Sequence, residues 1–395
     1  MVDLRGIHRD KLDSAIDKIG KYDVFIHWLF KTNAAMDHFK IAEKLKNRFP
    51  KSVHVAGGVH VEVQPEECAR KFDVIVIGPG EESFVKVIKD IKSGNLKKIY
   101  RQKWSEVSFC DTPFPRREFL PVDHVVTRDQ FPGEYGDLLS TTMYTNRGCP
   151  YGCAYCTLNI PRALQTRSPK IIRAELKYLK ENYSLEAVLP KDEVAIHPNP
   201  KVSSEVFAAY RDYDLIWRGQ TTVAASYEQL KDAYNSGCRE LAVGIETVDP
   251  KVMEIINKKW QTPKKISDFL SNAKKVGIKI KTCFILGLPG EPMDILDKTM
   301  KFIVDNEIDY VNVSGFCPLP GSPIYNDYKY YGIKYVDKDW NKHANLLYRY
   351  SDEEEVGLPF EYEKENRWGK TFSRDQIAGN IRQIQRWLRS NGLSY

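Results

Sequence analysis

No stretch of about 18 uninterrupted apolar residues occurs in this 395-residue chain, so no segment reads as a membrane span. Met1 to Asp10 lack the apolar core of a secretory signal, and none is expected. Neither sign of charge dominates: the net charge is +6, spread along the chain. The densest basic stretch, Lys274, Lys275, Lys279 and Lys281, overlaps the start of a predicted strand. A solvated face explains it better than a nucleic-acid surface. Low-complexity segments and repeats do not stand out. Cysteine is scarce, at 8 residues. What remains is an ordinary globular composition, 42% hydrophobic and 28% charged, long enough for two compact domains plus an extension. A reducing cytoplasm is the expected setting.

Scarcity makes the distribution of the cysteines informative. Three of them, Cys149, Cys153 and Cys156, fall in Asn146-Arg147-Gly148-Cys149-Pro150-Tyr151-Gly152-Cys153-Ala154-Tyr155-Cys156. Random placement gives two further cysteines at fixed offsets roughly three times in a thousand. An odd number in a reducing setting argues against disulfides, and thiolates this dense usually hold metal. Structural zinc wants four ligands, and no second cysteine pair follows. Cys238, Cys283 and Cys317 stand alone in apolar settings and read as buried core thiols. A [4Fe–4S] cube held by three thiolates keeps one iron without a protein ligand, and an open iron can bind a small molecule. Gly148, Pro150 and Gly152 let the loop fold closely around a bulky cluster.

Cys-x-x-x-Cys-x-aromatic-Cys resembles the signature of the radical S-adenosylmethionine (SAM) superfamily, with Tyr155 at the aromatic position. The resemblance implies that the open iron chelates the amino and carboxylate groups of SAM. Reduction then yields a 5′-deoxyadenosyl radical that abstracts hydrogen from a small-molecule substrate. An external electron donor such as flavodoxin or ferredoxin is implied as partner, and nucleic acid is not.

The layout is α/β. Residues 1–100 alternate short apolar runs with helical periodicity: Tyr22 to Phe30, a helix from Ala34 to Phe49, Val53 to Ala56, Asp73 to Ile77, and a helix from Glu81 to Ile91 ended by Gly94. Such alternation predicts a parallel sheet. Gly57-Gly58 and Gly78-Pro79-Gly80 follow strand ends, where such sheets bind ligands or simply turn. The pattern resembles the second half of a cobalamin-binding, flavodoxin-like domain. That likeness implies Gly57, Gly58, Gly78 and Gly80 as cobalamin contacts. On that likeness Met1-Val2-Asp3-Leu4 is expected to enter at the second strand of the domain, without its first β–α unit, and no Asp-x-His-x-x-Gly motif occurs. Residues 101–138 read as a proline-dotted linker, 139–325 as a partial (β/α)6 barrel, and 326–395 as an aromatic-rich, helical C-terminal cap.

Barrel ligands come from loops at strand C-termini. Asp192 and Glu193 follow the second barrel strand, where the resemblance implies a contact with the SAM amino group. Glu246, in Gly244-Ile245-Glu246-Thr247, resembles the Gly-Ile-Glu-Ser run at the fourth strand of this group, where a carboxylate can accept hydrogen bonds from ribose hydroxyls or a charged methionine group or cap the next helix. Ile285 and Gly287, in Phe284-Ile285-Leu286-Gly287-Leu288-Pro289-Gly290-Glu291, resemble the adenine-packing motif, and Glu291 reads as a helix N-terminal residue. Three reaction classes stay open: cobalamin-dependent methyl transfer, a cobalt-free rearrangement, cyclisation or oxidation on a vestigial N-terminal scaffold, and a non-catalytic iron–sulfur carrier or sensor. The low cysteine content of the first 100 residues argues against a tRNA methylthiotransferase.

Overall fold

The computed structural model describes residues 11–157, 160–343 and 357–394. The predicted strand entry at Met1–Leu4 and two cap aromatics, Tyr348 and Tyr350, lie outside these. The N-terminal unit is a four-stranded parallel sheet in sequential order: β1 (Val24–Trp28), β2 (Val53–Gly57), β3 (Val74–Ile77) and β4 (Ile99–Arg101). Buried Val55, Ala56, Val74 and Ile75 make the two middle strands apolar on both faces, as a helix-covered parallel sheet requires. Gly94 ends the helix Ser83–Ser93 in the left-handed conformation, as its position after the periodic run predicts.

The second unit is a curled seven-stranded sheet. Six strands run parallel: β6 (Gly136–Met143), β7 (Ala187–Pro190), β8 (Ile216–Thr221), β9 (Cys238–Glu246), β10 (Lys279–Leu286) and β11 (Tyr310–Gly315). The seventh, β5 (Thr127–Phe131), pairs antiparallel with β6. The polar sequence around it hid a strand that extends the sheet edge. Helices cover the outer face, and Trp217, Phe207, Phe269 and Phe284 are fully buried in the core. Each such side chain contributes about 1.5–3 kcal/mol by leaving water. Ser168 caps the helix Pro169–Tyr183 through a bond from the Ile171 amide, with proline at its first position.

The C-terminal segment touches both units. Helix Arg374–Ser390 buries Ile377, Ile381, Ile384 and Leu388, and its successor covers the free edge of β11, where the Val311 amide bonds to Leu393 O at 2.9 Å. Trp340 is buried in the N-terminal unit, and its indole N–H donates to Glu67 Oε2 at 3.0 Å. The cap therefore ties the barrel to the first sheet.

Candidate functional site

The three cysteines lie in the loop leaving β6, at the C-terminal mouth of the curled sheet. Asp192 fixes the entry. It is 1% exposed, and its carboxylate accepts from the Thr145 amide (2.8 Å), the Thr145 hydroxyl and Asn146 Nδ2 (3.2 Å). Burial pushes its pKa up to about 7, against the downward pull of those donors. Its oxygens are thus engaged within the protein. Glu193 accepts from the Gly148 amide at 3.0 Å, beside Cys149. Gly148 has φ +107°, and a side chain there would strike Pro161 O at 2.6 Å. This lets the Cys149 amide bond to Pro161 O at 3.0 Å. Ala154 N bonds to Ile256 O (2.8 Å), Asn257 Nδ2 to Gly152 O (2.7 Å), and Ile324 N to Ala154 O (3.0 Å). The loop is held from three sides before any cofactor arrives.

Cys153 is buried, and Cys149 and Cys156 are half-buried. Burial pushes the Cys149 and Cys153 thiols up, while the Lys258 ammonium pulls Cys153 the other way. Three thiols in one loop, Cys149, Cys153 and Cys156, match the three separate corners of a [4Fe–4S] cube. Metal must displace the thiol protons, so cluster binding at this loop releases protons.

Next to the loop is a cavity of about 360 Å³, lined by Tyr155, Gln220, Glu246, Ile285, Asn312 and Phe316 among others. It joins sequence-predicted residues from three separate segments. Glu246 ends β9 at φ +67°, just past a register irregularity against β10. A non-glycine residue held there costs on the order of 1 kcal/mol, a cost that clusters at functional positions. Its Oε1 accepts from Tyr155 Oη at 2.9 Å and from Lys258 Nζ at 3.2 Å, and Lys258 also donates to Gly244 O at 2.5 Å. Burial first, then the Glu246 charge, pushes the Tyr155 phenol well above its ordinary range.

Four residues the sequence reading did not assign belong to this wall or its support: Lys258, Gln220, Asn312 and Ser314. Lys258 lies after a helix in a run of polar residues, with no motif to single it out. Gln220, Asn312 and Ser314 occupy inward positions of strands, which period-two alternation could have found. Cys283 and Cys317 also line the cavity; burial pushes the Cys283 thiol up to about 11 and Cys317 further. They are wall residues rather than deep core, unlike fully buried Cys238.

Ile285 lines the cavity, but Gly287 faces elsewhere. A side chain on Gly287 (φ +91°) would meet Ile377 Cγ2 at 2.9 Å, so this glycine admits the C-terminal helix. Its amide donates to Glu291 Oε2 (2.8 Å), and its carbonyl accepts from Tyr362 Oη (2.8 Å). Glu291 is not in a helix: it lies ahead of Ile295–Asp305 and closes this turn as a buried carboxyl.

The N-terminal glycines divide in two. Side chains at Gly58 and Gly78 would strike Leu29 O at 2.8 Å and Gln102 O at 2.0 Å, so both serve backbone packing. Gly57 and Gly80 have room beside them, and the exposed rings of Trp28 and Phe30 stand 5.2 Å apart at the end of β1. An open backbone beside an aromatic shelf fits a large flat ring such as a corrin. This edge is near the cysteine loop: Glu81 pairs with Arg147, and Gly321 lies between Val63 and Thr157.

Comparison with known proteins matches residues 143–303 to the radical SAM superfamily model. The chain is 26% identical over 364 residues to "Uncharacterized methyltransferase PH0819" of Pyrococcus horikoshii, covering 86% of this chain and 77% of that protein. It is 24% identical over 368 residues to the bacteriochlorophyllide d C-8(2)-methyltransferase of Chlorobaculum tepidum, covering 88% and 77%. Among solved structures, it shares its fold with the radical SAM methyltransferase TsrM of Kitasatospora setae, solved with cobalamin and a [4Fe-4S] cluster bound. The TM-score is 0.64 at 14% identity, over 95% of this chain and 81% of that one. Among the described residues no helix is long and apolar enough to cross a membrane.

Proposed function

This chain belongs to the radical SAM superfamily, and from that premise we propose that it is a methyltransferase that uses cobalamin to alkylate a small molecule. The observation that carries the reading is the convergence of a pre-clamped three-thiol loop with the cavity of Tyr155, Glu246 and Ile285. Cys149, Cys153 and Cys156 hold the cluster. Glu246 offers its carboxylate to the hydroxyl or amino groups of SAM, and Ile285 an apolar face to its adenine. Glu193 holds the loop at Gly148 and is the carboxylate that would receive the SAM amino group, with Asp192 behind it as anchor. Gly57, Gly80, Trp28 and Phe30 offer the surface for the corrin.

When bound, these groups supply an electron, an adenosyl radical that removes a substrate hydrogen atom, and a transferable methyl group. The protein's own work is positional. Lys258 pairs with Glu246 in a buried wall, the bonds to Ile256, Asn257 and Ile324 fix the cluster loop, and the cap closes the outer side. Gln220, Asn312 and Ser314 offer neutral hydrogen bonds to the substrate. An external one-electron donor of the flavodoxin or ferredoxin type, in a reducing cytoplasm, completes the system.

The test is anaerobic reconstitution followed by addition of hydroxocobalamin. The reading expects about four irons per chain, 5′-deoxyadenosine on reduction with SAM, and stoichiometric uptake of cobalamin by visible absorbance. A chain that makes 5′-deoxyadenosine but takes up no cobalamin loses the methyl-transfer assignment and keeps the radical one.

A further inference from the structure

One side of the cysteine loop reaches the surface. Pro150 is exposed, and Tyr151 and Gly152 after it are half-buried. There Tyr151 stacks on Trp260, also half-buried, with ring centroids 4.0 Å apart and planes 18° from parallel. An aromatic plate therefore lies at the surface, within the cysteine loop itself. Three exposed cations adjoin it: Arg162, Lys259 and Lys265. The Arg162 guanidinium donates to Tyr151 O, and a side chain on Gly152 would meet Arg162 Nη1 at 3.7 Å. Lys265 Nζ donates to Trp260 O at 3.0 Å, and Lys259 precedes Trp260 in the chain. These acceptors are neutral carbonyls, so they leave the positive charge uncompensated. Of the acids on the adjoining helices, Asp268 is engaged by Lys264 at 2.6 Å, and Glu254 is exposed. An aromatic centre with a charged rim is the anatomy of a protein-docking surface.

We propose that the Tyr151–Trp260 plate, with Arg162, Lys259 and Lys265 at its rim, is the surface on which an acidic one-electron donor protein docks. This rests on the cluster reading above, because a cluster in this loop is what gives the electron a destination. Electron transfer weakens steeply with distance, so the donor must approach where the loop meets solvent. Elsewhere the loop is packed against Pro161, Ile256 and Ile324, and its cavity side serves SAM and substrate. Flavodoxins and ferredoxins are small acidic proteins, and opposite charge steers such a partner to this rim. In the step itself the reduced donor loses one electron and the cluster gains it; no covalent bond forms or breaks.

The experiment measures 5′-deoxyadenosine formation by the reconstituted full chain with two reductants. One is a reduced bacterial flavodoxin; the other is reduced methyl viologen, a small cation that needs no docking surface. Lys259→Glu combined with Lys265→Glu should lower kcat/KM for flavodoxin about tenfold and leave the viologen-driven rate unchanged or higher. Rising salt should slow the flavodoxin-driven reaction in wild type and much less in the variant. Lys259→Arg, which keeps the charge, should behave as wild type. Where Lys265→Glu loosens the start of its helix, Lys259→Glu alone carries the test, with the same split between reductants. An unchanged flavodoxin rate overturns the proposal, and so does an equal fall with both reductants, which would mark a structural role. Flavodoxin that fails on wild type while viologen works overturns it as well. A wild-type chain that makes 5′-deoxyadenosine with neither reductant overturns the functional reading and this inference together; the other contrary results overturn this inference alone.

Discussion

Replacing Glu291 by glutamine should make the protein more stable at alkaline pH and leave it little changed at acidic pH. Glu291 is 5% exposed, and burial pushes its pKa from the ordinary 4.5 up to about 8. One oxygen accepts from the Gly287 amide, while no protein partner faces the other, Oε1, so no cation compensates a charge there. The folded state therefore binds this proton more tightly than the unfolded chain does. Its contribution is fully present below about pH 4.5 and is lost as pH rises to about 8. At about 1.4 kcal/mol per pH unit over about 3.5 units, the whole loss is on the order of 5 kcal/mol. Glutamine keeps an acceptor for the Gly287 amide and never ionises. Urea unfolding followed by tryptophan fluorescence at pH 6 and pH 8.5 should show the variant gaining on wild type with pH. Parallel curves for the two proteins across this range would refute a buried neutral carboxyl at this turn.

Further outcomes follow from the same geometry. Cys149→Ala, Cys153→Ala and Cys156→Ala should each abolish reductive SAM cleavage, and 5′-deoxyadenosine from any of them contradicts the ligand assignment. Lys258→Met strands a carboxylate only 11% exposed and the Gly244 carbonyl, and should cost about 3 kcal/mol in urea unfolding. Adding Glu246→Gln should recover part of that loss, and an unchanged midpoint in the single variant would contradict the buried pair. Gly287→Ala forces a side chain at φ +91° against Ile377 and should cost about 2–4 kcal/mol. Ile377→Ala should relieve some of this, and strict additivity of the two changes would show that they do not meet.

The barrel was legible because its strands are apolar runs with glycine, proline or carboxylate at their ends, and the cysteine spacing is rare enough to stand by itself. Ser168-Pro169 and Gly94 gave helix ends from local chemistry alone, and both hold. Strand β5 was not legible, since Thr127–Phe131 is half-exposed at an edge and carries little apolar signal. The site was read in part. Motifs identify residue types, but the direction of a side chain depends on what packs behind it. Asp192 turns inward to Thr145, and Gly287 turns outward to Ile377, because partners 47 and 90 residues away decide it. Lys258 carries no local pattern, and only the folded chain shows it under Glu246.

The central claim is that three sulfurs leave one iron free for SAM beside Glu246. The most direct test is the EPR spectrum of the reduced, reconstituted protein before and after SAM is added. A changed line shape, lost in Cys153→Ala, is the result this account predicts; a four-iron cluster whose spectrum ignores SAM would contradict it.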